Sequence, residues 1–308
     1  MQVIFNNGQY RDNNPSAIAL GTFDGIHLGH RKLISELRQQ KKHNGYKTII
    51  YTFQTHPMRI LAPEKAPSQI MLLSEKIRGF SELDVDTLVL NPFNHSFLHQ
   101  TPQTFLNQLL DHFNVKVLIV GFNYRFGYKG MGDIEFLYKV AHIKGFELIC
   151  VPPVKREGQV ISSSLIRTLI SNGNVEEAAC LITKPYTIRG KIIHGFGRGR
   201  NMGFPTANIK VPAHKTIPKP GVYLTKCFLG NRIFWGVTSV GINPTFSQET
   251  LNIETYILDF REDIYDKILK VSFLEHLRDE IKFNSVEDLI VQMKLDVQNA
   301  KYLIYNFH

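Results

Sequence analysis

Apolar and polar positions along the chain follow two rhythms, and the rhythm changes near residue 185. Up to about residue 180, near-continuous apolar runs alternate with segments whose apolar residues recur at helical spacing. The runs predict strands at Ser16–Thr22, Thr48–Phe53, Thr87–Leu90, Val115–Val120 and Phe146–Val151. The periodic segments predict helices at Arg31–His43, Ser74–Leu83, Pro102–Phe113 and Ile134–Lys144. Strands apolar on both faces imply a parallel sheet with helices on both sides. Beyond residue 185 the strand patterns Tyr186–His194, Gly221–Leu229, Arg232–Val240, Ile253–Phe260 and Ile268–Phe273 have no helices between them, and Gly230-Asn231 marks a hairpin. This part predicts an antiparallel barrel or sandwich. A closing helix is expected where Val286, Leu289, Ile290, Met293, Val297 and Ala300 recur behind Ser285 as N-cap, the stripe serving as core. The expected architecture is an α/β domain over 1–183 and an antiparallel β domain with a C-terminal helix over 184–308, meeting near Leu181–Pro185.

Composition narrows the class. The chain has 308 residues and a formal charge of +9. A basic balance suits nucleic acid, an anionic membrane or phosphorylated small molecules. No run approaches the roughly 20 apolar residues that span a bilayer, and Met1–Asn7 lacks the basic segment and apolar stretch of a signal peptide. Cys150, Cys180 and Cys227 are scattered and odd in number, which fits reduced thiols and a cytoplasmic location. The cluster Arg38–His43 reads as a solvated helix face, whereas Arg198-Gly199-Arg200 sits inside a glycine loop.

Chemistry concentrates where strands end. Gly21-Thr22-Phe23-Asp24-Gly25-Ile26-His27-Leu28-Gly29-His30 follows the first predicted strand and opens a helix. A helix N-terminus offers unpaired N–H groups to phosphate. Gly25 and Gly29 permit close approach, and His27 and His30 can donate to oxygens that gain charge during reaction. This is a nucleotide-handling site of the nucleotidyltransferase kind. A merely packed His pair is the plain alternative, and zinc is disfavoured because no Cys or acidic cluster follows at ligand spacing. Gly121-Phe122-Asn123-Tyr124-Arg125-Phe126-Gly127 ends another strand. Asn123 can bond a base edge or phosphate there, and Tyr124 or Phe126 can stack on a flat ring, unless the segment is simply a turn with aromatic packing. His56, in Thr52–Pro57, is a further candidate for ligand contact. Ser162, Ser163 and Ser164 stand at a helix start, where hydroxyls cap the helix or cradle phosphate, with Arg167 one turn in as a bidentate clamp.

The second half carries its own anion loop, His194–Asn208, in which Gly195, Gly197, Gly199 and Gly203 surround Arg198 and Arg200. It lacks the Gly-Lys-Ser/Thr ending of a P-loop. Thr206 and Asn208 offer hard oxygen ligands for magnesium beside phosphate. Glu254 interrupts the apolar pattern of Asn252–Phe260. It reads either as a general base or as an outward-facing strand residue.

Together these segments resemble bacterial bifunctional riboflavin kinase/FAD synthetases. The family's G-x-F-D-G-x-H-x-G-H motif is met by Gly21 to His30, its G-x-(N/D)-F-x-F-G by Gly121 to Gly127 with Tyr124 for Phe, and its S-S-(S/T)-x-I-R by Ser162 to Arg167. Its kinase signature H-G-x-G-R-G-x-x-(L/M)-G-F-P-T-A-N is met by His194 to Asn208. P-x-G-V-Y corresponds to Pro218–Tyr223 with an extra proline, G-x-N-P-T-F to Gly241–Phe246, and E-x-x-x-x-D-F to Glu254–Phe260. The family's D-L-Y-G reads Asp263-Ile264-Tyr265-Asp266, a lost glycine that bears on a flap over the flavin.

The resemblance implies a Rossmann-like nucleotidyltransferase domain followed by a Greek-key barrel, with ATP, riboflavin, FMN and FAD as substrates or products and Mg2+ as cofactor. It implies that His27 and His30 polarise ATP phosphates, held with Gly21, Phe23, Gly25 and Gly29. Asn123 helps hold the nucleotides, with Tyr124, Phe126 and His56 on the flavin side. Ser162–Ser164 and Arg167 steady phosphates, Thr206 and Asn208 hold magnesium, and Glu254 is base for the ribityl 5′-hydroxyl. Two other readings remain at this stage: one active half with the other as scaffold, or a basic nucleic-acid-binding regulator. No nucleic-acid module is recognisable, so small molecules are the expected partners, with neither nucleic acid nor membrane, and fragments 1–183 and 184–308 should each retain one reaction.

Overall fold

The computed structural model describes the chain except residues 196–198, 200–201, 246–247 and 307–308. Gly197, Arg198, Arg200 and Phe246 therefore lie outside the described residues. The chain divides into two compact units, Met1–Ser163 and Ser164–His308.

The first unit is built on β1 (Gln2–Phe5), β2 (Asp12–Leu20), β3 (Lys47–Phe53), β4 (Thr87–Asn91), β5 (Phe113–Gly121) and β6 (Glu147–Val151). All their pairings are parallel, in the order β1-β4-β3-β2-β5-β6. Between them run α1 (Leu28–Asn44), α2 (Met58–Leu61), α3 (Leu73–Ser81), α4 (His95–Leu98), α5 (Pro102–His112) and α6 (Ile134–Lys144), and a small hairpin of β7 (Lys155–Arg156) and β8 (Gln159–Val160) follows β6. The expected apolar runs are the sheet's interior: Ala17, Ile18 and Ala19 are fully buried. From β2 the chain winds one way through β3 to β4, then returns to place β5 on the other side of β2. The gap between the carboxyl ends of β2 and β5 is thus a topological switch point, where such sheets bind ligands.

The second unit opens with α7 (Ser163–Ser171) and α8 (Val175–Ile182). A closed barrel follows, made of β9 (Tyr186–Ile193), β10 (Thr206–Ile209), β11 (Gly221–Leu229), β12 (Arg232–Thr245), β13 (Gln248–Ile257) and β14 (Ile268–Asp279). Strands β11, β12 and β13 pair consecutively and β14 returns beside β11, which is the Greek-key order. Of the two antiparallel forms open to the sequence, the barrel is the one formed. The final helix α9 (Val286–Asn306) starts with Ser285 Oγ accepting from Asp288 N at 3.1 Å. Val297 and Ala300 pack on the barrel as expected, but Val286 is 56% exposed. Arg278 of β14 pins α9 through a two-pronged ion pair to Asp296 (2.8 and 2.7 Å).

The short helices α7 and α8 pack with the barrel. Ile170 O accepts from Lys219 N (3.3 Å), and Glu176 Oε1 accepts from His276 N (2.9 Å). The expected boundary at 183/184 falls beyond these helices, and the two compact units part at Ser163/Ser164.

Candidate active sites

The turn from β2 into α1 is an unusual piece of backbone. Phe23 (φ 50°), Gly25 (φ 95°) and Ile26 (φ 43°) all lie in the left-handed region. Glycine adopts it freely, whereas for Phe and Ile it costs on the order of 1–3 kcal/mol each. Tertiary contacts impose it. The buried Asp24 carboxylate accepts from Ile70 N (3.1 Å) and Met71 N (3.0 Å), and the Asp24 carbonyl accepts from Ser163 Oγ (2.8 Å). Phe23 meets Phe80 edge-on, with ring centroids 5.5 Å apart.

This turn delivers two stacked imidazoles, His27 and His30, with centroids 3.7 Å apart and planes 20° from parallel. His27 is the N-cap of α1, and its Nδ1 accepts from His30 N at 3.4 Å. An accepting Nδ1 leaves the proton on Nε2. The pKa of His30 is held well below 6.5 by burial first, then by the neighbouring His27 and Lys76 charges, so it is a neutral imidazole at pH 7. Its Nδ1 is buried and has no hydrogen-bond partner among the described residues.

Both rings line a cavity of about 760 Å³, within the usual range for small-molecule sites. Gly21, Phe23 and Gly29 line it from the same turn; Asn123, Tyr124 and Phe126 from the loop after β5; and Ser162 and Ser163 from beyond the small hairpin. Phe126 is buried in the core and stacks on Tyr124 at 5.6 Å. Burial raises the Tyr124 pKa, so its phenol stays protonated. Gly127 (φ 71°) is needed because a Cβ there would lie 2.7 Å from Pro102 N. An edge-to-face chain of Phe93, Phe53, Phe97 and Phe105 (5.2–5.8 Å) forms further wall.

Other expected residues sit elsewhere. His56 Nδ1 accepts from Met58 N at the start of α2, and its ring lines a small adjoining pocket together with Lys76. Gly25 is buried against Ile70. Ser164 and Arg167 lie on α7 and are counted with the second unit.

In the second unit, register brings three of the expected residues to one face. Asn208 on β10 pairs with Glu254 on β13, and Thr206 pairs with Tyr256. Ile253 and Thr255, the alternate residues on β13, are fully buried, so Glu254 faces away from the barrel interior. Thr206 Oγ1 donates to Glu254 Oε2 (2.9 Å), and Asn252 Nδ2 donates to Oε1 (2.5 Å). The glycine loop lies close: a Cβ on Gly195 would be 2.3 Å from Asn208 Nδ2, and one on Gly199 would be 2.4 Å from Phe204 O. Gly203 has φ 83°. His194, which opens the loop, stacks on Tyr265 at 3.8 Å.

A family model described as FAD synthetase matches residues 9–165, and one described as riboflavin kinase matches residues 182–304. The bifunctional riboflavin kinase/FMN adenylyltransferase of Listeria monocytogenes is 38% identical over 92% of this chain and 91% of its own. The chain belongs to the bifunctional riboflavin kinase/FMN adenylyltransferase family. It is a riboflavin kinase in its C-terminal half and an FMN adenylyltransferase in its N-terminal half, making FAD from riboflavin, with riboflavin, FMN and ATP as substrates. The relative of the same description from Bacillus subtilis is 34% identical over 92% of this chain and 91% of its own. A solved structure described as a macrolide-efflux protein from Streptococcus pneumoniae has the same fold, with a TM-score of 0.89 and 33% identity over 97% of this chain and 98% of that one. Efflux belongs to that protein's description alone. In this family member no helix among the described residues is long and apolar enough to cross a membrane.

The family's flap glycine can now be placed. Asp266 occupies that position at φ 62°, so the backbone keeps the left-handed turn that favours glycine. Asp tolerates this region better than most residues. Asp266 N donates to Ile192 O (3.0 Å), and its carboxylate, held below its usual pKa range by Lys191, pairs with that ammonium at 2.8 Å. Sequence reasoning missed Asp24 and Lys76, whose partners stand far away in the chain. It also missed the phenylalanine wall, of which only Phe53 lay beside a residue already singled out.

Proposed function

We propose that FMN is adenylylated in the cavity of the first unit, around His27 and His30, and that riboflavin is phosphorylated on the barrel face around Glu254. One observation supports the first assignment above the others: the buried His30 Nδ1, without a hydrogen-bond partner among the described residues, at a cavity of about 760 Å³. The His27 Nε2–H and the free end of α1 supply donors to the triphosphate. An FMN phosphate oxygen attacks the α-phosphorus of ATP, the bond to the bridging oxygen breaks, and pyrophosphate leaves. The nucleophile is already an anion, so no general base is required. Asn123, Ser162 and Ser163 hold phosphates or base edges. Tyr124 presents an aromatic face with Phe126 as its backing, and His56 contributes by shaping the α2 end of the site.

In the kinase half Glu254 accepts the proton of the ribityl 5′-hydroxyl as that oxygen attacks the γ-phosphorus of ATP, and ADP leaves. Thr206 and Asn208 fit a magnesium site. The Thr206 hydroxyl donates its hydrogen bond to Glu254, which leaves its oxygen lone pairs for a cation, and Asn208 offers its amide oxygen on the same face. Bound there, the metal would neutralise phosphate charge. Gly195, Gly199 and Gly203, with Gly197, Arg198 and Arg200 read from the sequence, surround the phosphates. The partners are small molecules, not nucleic acid or membrane, and the reduced thiols fit the cytoplasm. Flavin chromatography after incubation with riboflavin, ATP and Mg2+ tests the assignment. The parent protein should accumulate FMN and FAD, and His30→Ala should stop at FMN. FAD formation by His30→Ala would sink the cavity assignment.

A further inference from the structure

Helix α3 and the residues before it touch nearly every residue of the strained turn that carries the imidazoles. Ile70 N and Met71 N bind Asp24, and the Ile70 side chain packs over Gly25. Phe80 packs against Phe23, and the bare Gly79 leaves room for Ile26, whose Cδ1 would lie 2.7 Å from a Cβ there. The most unusual member of this cradle is Lys76, a lysine only 8% exposed. Its Nζ donates to Thr22 O (2.8 Å) and, more weakly, to Phe53 O (3.5 Å). Thr22 lies in the turn after β2 and Phe53 ends β3, so one ammonium ties the turn to that strand end beneath the site.

We propose that Lys76 is a positioning residue for adenylyl transfer: it fastens the β2–α1 turn to the end of β3 and places a buried cation beneath the imidazole pair. This rests on the assignment of His27 and His30 to the transferase site. Burying a cation is costly, and a strand end could be tied by a neutral donor, so a charge here implies electrostatic use. Burial pushes the amine down to about 8, partly offset by Asp24. The charged groups against His30 are His27 from its own helix and Lys76 from α3, and Asp24 from the connecting turn faces Lys76. A neutral imidazole offers both a donor and an acceptor nitrogen, whereas an imidazolium offers only donors.

The experiment compares Lys76→Met, Lys76→Arg and His30→Ala in the full chain. The FMN-to-FAD rate is measured against pH, the riboflavin-to-FMN rate serves as internal control, and histidine ring resonances are followed by NMR. Lys76→Met should lower kcat for FAD formation about tenfold or more with a smaller change in the KM for ATP. It should also raise the His30 titration midpoint, because a neighbouring positive charge is lost, and kinase turnover should not change. Lys76→Arg should keep the low midpoint. A Lys76→Met protein that makes FAD at the parental rate, or one that loses rate with the His30 midpoint unmoved, overturns the proposal. Equal midpoints in the Met and Arg variants overturn it too. If His30→Ala itself retains FAD synthesis, the site assignment fails instead, whatever Lys76 does.

Discussion

The two sites proposed for this enzyme are opposite constructions. The proposed transferase site is a recessed cavity at a sheet's switch point, where the backbone is forced through Phe23 and Ile26 in left-handed conformations and His27 and the Nδ1 of His30 are buried. The proposed kinase site is the outward face of a barrel, where Glu254 is half-buried and already accepts from Thr206 and Asn252. A buried site holds its polar groups by long-range contacts and leaves a partner missing for the ligand. A surface site arranges its groups by strand register, and the rigid barrel beneath it fixes their spacing. The difference teaches where each half is vulnerable: the first through contacts distant in sequence, the second through neighbours on two strands.

Chemical variants separate the halves most strongly. Glu254→Gln should cut FMN formation by about 10²–10⁴, the usual worth of a general base, while FMN supplied externally is still converted to FAD. His30→Ala should cut FAD formation by about 10²–10³, the scale of a lost transition-state donor, while FMN accumulates. A single variant that abolishes both reactions with native circular dichroism would break the division.

How much of this was legible in the sequence follows from the range of the interactions. Gly21–His30 could be read because strand, turn, cap and ligand groups are contiguous, and α1 buries the expected Leu33, Ile34 and Leu37. The cradle could not, because Asp24 and Lys76 act across 46 and 54 positions to Ile70 and Thr22. Strand β1 escaped notice because Val3 and Ile4 are too few to make a pattern, and it forms only by pairing with β4 at the sheet edge. Strand β10 was hidden inside a segment read as loop. It is four residues long and exists because β9 and β13 flank it. Register then put Thr206 and Asn208 beside Glu254, which spacing alone could not do. The helices α7 and α8 show the same limit, since their partners are Lys219 and His276 of the barrel.

Stability variants sharpen the comparison at lower amplitude. Asp296→Ala leaves Arg278 unpaired at 19% side-chain exposure. Breaking a buried pair costs about 3–5 kcal/mol, so calorimetry should show the barrel's thermal midpoint drop while the first unit's does not. Gly127→Ala demands a left-handed alanine pressed against Pro102. A destabilisation of about 1–2 kcal/mol or more should lower the first unit's midpoint and FAD formation at elevated temperature, with kinase activity kept. The smallest effect is expected for Asp266→Gly: the turn is already left-handed there, so kinase kcat should stay within about twofold of the parent by the usual modest scale of surface changes. A large gain would mean that the flap is limited by this side chain.

The claim that two separate sites act in succession is tested most directly by mixing the two inactivated proteins. His30→Ala and Glu254→Gln, each given riboflavin, ATP and Mg2+, should make FMN only and nothing, respectively. Together they should restore FAD, because FMN released by one protein is adenylylated by the other. A mixture that accumulates FMN and never FAD, with both proteins folded, would contradict the account.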